Sequence, residues 1–120
     1  MSRTQHRNAK HEAHLDHVFS ALGDQTRRTL LAKLAHGPAM ITELAAPFRM
    51  SLPAVSRHIR VLERARLVRR TVDGRIHRCS LNALPLSDAE LWLARYRRFW
   101  EGTLESLADY AEKLEKRKLR

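Results

Sequence analysis

Residues 51–70 run Ser-Leu-Pro-Ala-Val-Ser-Arg-His-Ile-Arg-Val-Leu-Glu-Arg-Ala-Arg-Leu-Val-Arg-Arg, and this stretch restricts the fold more than any other. Val55, Ile59 and Leu62 recur at i, i+4 and i+7, with Ala54, His58 and Val61 beside them. That is the period of a helix burying one face. Ser51 suits the cap, and Pro53 falls in the first turn, where a missing N–H costs little. Ser56, Arg57, Arg60 and Arg64 fall off the apolar stripe. A helix that hides its stripe and presents hydroxyl and guanidinium groups suits the DNA major groove. Basic runs at 67–72 and 75–81, joined by Asp73-Gly74, read as a hairpin. Helix and basic hairpin together predict a winged helix-turn-helix.

The charge agrees. Of the formal +10, a local +6 lies between Ser51 and Arg78, where eight arginines (57, 60, 64, 66, 69, 70, 75, 78) face Glu63 and Asp73. Such an excess suits a polyanion, because neutralised phosphates release condensed counterions. The 120 residues suffice for one core. Cys79 has no intrachain partner for a disulfide. No apolar run approaches the roughly 18 residues of a membrane span, and Met1–Lys10 lacks the apolar centre of a secretion signal. A cytoplasmic protein with no membrane partner is expected.

Along the chain, residues 1–10 show no apolar periodicity and read as a mobile arm ahead of a core at 11–86. Leu15, Val18, Phe19 and Leu22 mark a first helix ending at Gly23. Asp24 caps a second, bearing Leu30, Leu31 and Leu34, which stops at Gly37-Pro38. Ile41, Leu44, Ala45 and Phe48 make a third, distorted at Pro47. Leu84-Pro85-Leu86 breaks the second wing strand, and Ser87 with Glu90 has the spacing of a capping box opening one long helix over 87–116. A basic tail fills 117–120. The expected class is mainly α with a small β-hairpin, in the order α-α-α-α-β-β-α.

From Ala21 to Leu81 the chain resembles the ArsR/SmtB-type winged-helix transcriptional regulators. Residues 21–28 (Ala-Leu-Gly-Asp-Gln-Thr-Arg-Arg), 41–45 (Ile-Thr-Glu-Leu-Ala), 51–63 and Gly74-Arg75 carry the resemblance. It implies a homodimeric repressor with a recognition helix at 51–65, a wing at 67–81, and a dimer interface built from the first and last helices. Two positions depart from the usual pattern. Gln25 stands where proline is usual, and Arg66 where glycine is usual. If that position needs positive φ, arginine is strained by roughly 1 kcal/mol or more. Either a phosphate contact offsets this or the turn differs.

Many relatives hold metal through cysteines in the third helix or through carboxylates and histidines in the last. Here the third helix reads Glu43-Leu44-Ala45-Ala46-Pro47-Phe48 and the last has Asp88 and Glu90 but no histidine. Carboxylates alone match zinc or copper poorly. His11, His14 and His17, with His6 upstream, do not converge on one ion, since the first and third point about 240° apart on a regular helix. We expect no metal and no cofactor. Cys79 alternates with Ile76, Arg78 and Leu81 and reads as a half-buried wing residue.

The residues expected to touch DNA are Ser51, Leu52, Pro53, Ser56, Arg57, Arg60, Arg64 and Arg75. Ser56 and Arg57 would reach base edges, and Leu52 and Pro53 would offer apolar contact. Arg60 and Arg64 would hold phosphates, and Arg75 would reach the minor groove or backbone. His58 suits either core-edge packing or a DNA contact. The dimer interface is expected at Leu15, Val18, Phe19, Trp92, Tyr96, Phe99, Trp100 and Leu107. Five of the seven aromatic residues lie in the last helix. Part of that surface could instead line a pocket for a small-molecule effector. A winged helix binding any nucleic acid, RNA included, would use the same arginines. A protein-interaction module would use the aromatic helix. No glycine-rich phosphate loop, nucleophile motif or convergent carboxylate pair suggests an enzyme.

Overall fold

Turn chemistry sets the element boundaries. In the computed structural model, which describes residues 3–118 and the side chains of 9–118, α1 (Arg3–Leu22) ends at Gly23. Asp24 then caps α2 (Gln25–Leu34), its Oδ1 accepting from the Arg27 N–H at 3.1 Å. Residues 3–10, expected as an arm, are helical. No proline or glycine interrupts them, and Ala, Lys, Arg and Gln favour the helix without an apolar stripe. The His6 side chain lies outside the described residues.

Gly37-Pro38 leads into β1 (Ala39–Met40) and α3 (Ile41–Ala45). Glu43 closes the first turn of α3 by accepting the Met40 N–H on Oε1 at 3.1 Å. The third helix stops short of Pro47 rather than bending there. Ser51 Oγ accepts from the Ala54 N–H at 3.3 Å and opens α4 (Leu52–Arg64). The wing is β2 (Val68–Asp73) and β3 (Ile76–Leu81), paired antiparallel from Val68↔Leu81 to Asp73↔Ile76. Gly74 has φ 60° and Arg75 is not at positive φ, the pattern of a two-residue II′ turn with glycine first. β1 adds a third strand, with Ala39 opposite Cys79 and Met40 opposite Arg78. Two residues are too few for periodicity to announce them.

The core of residues 1–89 gathers one face from each element: Val18 of α1, Leu30 of α2, Leu44 of α3, Ile59 of α4 and Cys79 of β3, all at most 2% exposed. Arg27 and Arg28 close the C-terminus of α1. Arg27 donates from Nε to the Ala21 carbonyl (2.8 Å) and from Nη2 to that of Ser20 (2.9 Å), and Arg28 Nη1 donates to that of Leu22 (2.7 Å). The last turn of a helix leaves these carbonyls unpaired.

The single long helix expected over 87–116 is two helices, α5 (Leu84–Ala94) and α6 (Arg97–Lys118). Ser87 is not the cap; its hydroxyl donates back to the Leu84 carbonyl at 2.6 Å, inside α5. The Leu84 N–H instead reaches Asn82 Oδ1 at 3.4 Å, and Pro85 takes a first-turn position that needs no donor. Residues 90–120 form a separate unit. Within it Tyr96 stacks obliquely between Trp92 (centroids 5.1 Å) and Phe99 (6.3 Å). No residue of α6 is buried. No helix among the described residues is long and apolar enough to cross a membrane.

Candidate nucleic-acid interface

Helix α4 is anchored by Val55, Ile59 and Leu62, each fully buried. Outside that stripe the helix is open: Ser51, Leu52, Pro53, Arg57, Arg60 and Arg64 are exposed, and Ser56 is half-buried. At 100° per residue, the positions from Leu52 through Ser56, Arg60, Pro53 and Arg64 to Arg57 span about 140° of arc. All the side chains expected to read DNA from this helix therefore share one face. Arg75 sits in the wing turn, exposed, and Arg69, Thr71 and Arg78 are exposed along the strands.

One cation of the basic cluster, Arg70, and one outside it, Arg27 of α2, have internal partners. Arg70, half-buried, donates to Glu63 Oε1 from Nε (3.1 Å) and from Nη2 (2.5 Å), and its Nη1 lies 3.3 Å from His77 Nδ1. This strut ties the last turn of α4 to both wing strands and commits three of Arg70's five N–H donors. Arg27 does the same at the other end. Its Nη1 lies 3.3 Å from His58 Nδ1, which in turn is 3.9 Å from Asp24 Oδ1. Arginine has no acceptor, so the Arg27–His58 contact is a hydrogen bond only when Nδ1 is bare. His58 is thus held at the core edge between α2 and α4.

The exit of α4 is a tight reversal. The Arg66 N–H donates to the Glu63 carbonyl and the Leu67 N–H to that of Leu62, both at 2.9 Å, the paired bonds of a Schellman cap. Arg66 adopts φ 59°. Of the two readings of this position, the positive-φ one holds: arginine occupies a left-handed site that favours glycine. Asn82 Nδ2 donates to the Arg66 carbonyl at 2.8 Å and its backbone N–H to that of Leu67 at 2.8 Å, so the turn is pinned from beyond the wing.

The sequence profile of the bacterial regulatory protein, arsR family, matches residues 24–70. The HTH-type transcriptional regulator Rv2034 of Mycobacterium tuberculosis (strain ATCC 25618 / H37Rv) is 51% identical over 53 residues, 44% of this chain and 50% of that protein. The chain thus matches half the length of that relative. The transcriptional repressor SdpR of Bacillus subtilis (strain 168) is 30% identical over 82 residues, 68% of this chain and 91% of SdpR. A crystal structure of an ArsR family transcriptional regulator, RHA00566, superposes with a TM-score of 0.70 at 40% identity, covering 75% of this chain and 93% of that one. This chain belongs to the ArsR family.

In this ArsR-family chain the expected interface residues divide. Leu15 is 4% and Val18 0% exposed, so neither has surface left for a second chain. Their i, i+3 spacing marked a buried face, and that face is spent inside the protomer. Phe19 packs against the same core, half-buried. Tyr96, Phe99, Trp100 and Leu107 stay exposed, and Trp92 is half-buried. Trp100, Leu104, Leu107, Ala111 and Leu114 follow one another at spacings of 4, 3, 4 and 3, the seam of a helix that packs along another.

Cys79 is fully buried rather than half-buried, because its side chain joins the core cluster with Leu34 and Ile59. Burial pushes its thiol pKa up, which favours the inert neutral form. Among the described residues no three His, Cys, Asp or Glu side chains lie close enough to hold a metal ion.

Proposed function

We propose that this ArsR-family protein is a sequence-specific DNA-binding repressor that acts as a homodimer on an inverted-repeat operator. One observation carries the reading. Outside its buried stripe α4 presents Ser56, Arg57, Arg60 and Arg64 on one arc, with Arg75 at the tip of the adjoining wing. Arg57 and Ser56 read base edges, Leu52 and Pro53 give apolar contact, and Arg60, Arg64 and Ser51 hold the backbone. Two such helices related by a two-fold axis address half-sites about 10 bp between centres. The exposed seam of α6 supplies a surface for the second copy. Repression follows the activity named for SdpR.

The experiment is binding to the DNA upstream of the protein's own gene, against scrambled duplex, at two salt concentrations. Genomic fragments selected for binding provide a second substrate. A preference of about a thousandfold or more that persists at the higher salt, with a two-fold symmetric footprint, supports the reading. Equal and steeply salt-dependent binding to every duplex, selected fragments included, rejects it in favour of a nucleic-acid binder without sequence choice.

A further inference from the structure

Between the start of α4 and the wing lies an open cleft of about 360 Å³, within the roughly 300–1,000 Å³ typical of small-ligand sites. Met40, Leu52 and Ile76 give it an apolar wall, while Arg70, Arg75 and His77 supply donors. No aspartate or glutamate lines it. Leu52 and Ile76 are 46% and 48% exposed, so large apolar side chains stand open to water beside guanidinium groups. Of that wall, Leu52 already serves the DNA reading above, but Met40 and Ile76 have no part in it; a small molecule with an apolar body and an anionic head uses the whole wall together with the donors. Arg70 is pre-positioned for the head. Glu63 takes its Nε and Nη2, and Nη1 still carries a second N–H beside the one directed at His77. A planar guanidinium held in this way matches a carboxylate better than a flexible ammonium does.

We propose that this cleft is a binding site for a small amphipathic carboxylate. Ser56 and Arg75 line the cleft and also belong to the DNA-reading surface, so ligand and duplex exclude each other directly, without any change in the arrangement of protomers. This second part rests on the DNA-binding reading above.

Octanoate is the probe, with octanol as the uncharged control. Titrated into the free protein and followed by amide NMR shifts, octanoate saturates at one site per chain, with shifts centred on residues 40, 52, 56, 76 and 77. Ile76→Glu, at an exposed position, places a like charge at the mouth and weakens octanoate by about tenfold or more. Met40→Trp fills the wall and weakens octanoate and octanol alike. Affinity for a bound genomic fragment falls in proportion to octanoate occupancy. Absence of saturation, shifts centred on residues 97–118, or unchanged fragment affinity at saturating octanoate would overturn the proposal. If octanoate titrates the cleft but no duplex binds, the ligand site stands and the DNA-binding reading fails.

Discussion

Arg66 shows what a single backbone angle can cost. At φ 59° it holds the C′ position of the cap that turns α4 into the wing, where a Cβ meets the strain that glycine avoids. Arg66→Gly relieves that strain but loosens the unfolded chain, so we expect a net gain of about 0.5–1 kcal/mol in urea denaturation. A loss would mean that the arginine side chain contributes more than the angle costs. Arg57 tests specificity instead. Its exposed guanidinium sits beside Ser56 near the start of α4, and Arg57→Ala should cost about 1–3 kcal/mol on the specific site while sparing scrambled duplex. Equal losses on both duplexes would reduce it to a phosphate contact.

Among the elements, α2 and α4 were the most legible, because each combines an apolar stripe with a side-chain cap at a recognisable place. Asp24 adds a pH dependence that stripes cannot show. Its carboxyl is held below the ordinary 3.8, first by the Arg27 N–H and then by the charges of Arg27 and His58, against a desolvation that acts the other way. A lowered folded pKa contributes stability that is complete above the unfolded value and fades as pH falls through the folded one. Asp24→Ala should therefore cost about 1 kcal/mol at neutral pH, and its deficit relative to wild type should shrink as unfolding is measured below about pH 4. The last helices were misread for a local reason. Ser87 and Glu90 have capping-box spacing, yet Asn82 already serves the helix start at Leu84, and Pro85 begins a helix rather than ending a strand. Nothing between Ala94 and Arg97 resembles a breaker, and the turn there is held by backbone bonds such as Tyr96 N–H to the Leu93 carbonyl at 3.0 Å. The exposed residues of α4 were legible because helical phase alone separates them from the buried stripe. The Glu63–Arg70–His77 strut and the cleft beside it were not, since they join residues through the hairpin register.

For the molecule as a whole, the question is what covers α6. Its seam of Trp100, Leu104, Leu107 and Leu114 is 39–58% exposed, and a second copy lying along it would remove those side chains from water. Leu107→Glu puts a charge at the middle of the seam. We expect this variant to sediment as a monomer at concentrations where wild type sediments as a dimer, and to lose operator affinity by at least about tenfold through the loss of bivalent binding. Identical sedimentation of the two proteins would place the dimer contact elsewhere. In a protein that pairs along this seam, a helix of 22 residues that buries nothing within its own protomer also ties folding to abundance. Under mass action, dilution leaves it a lone helix with little to hold it, open to proteases at one end of every newly made copy. The cell would then retain paired regulator and clear unpaired chains, giving the switch a threshold in gene dosage that no property of the DNA-reading face would supply.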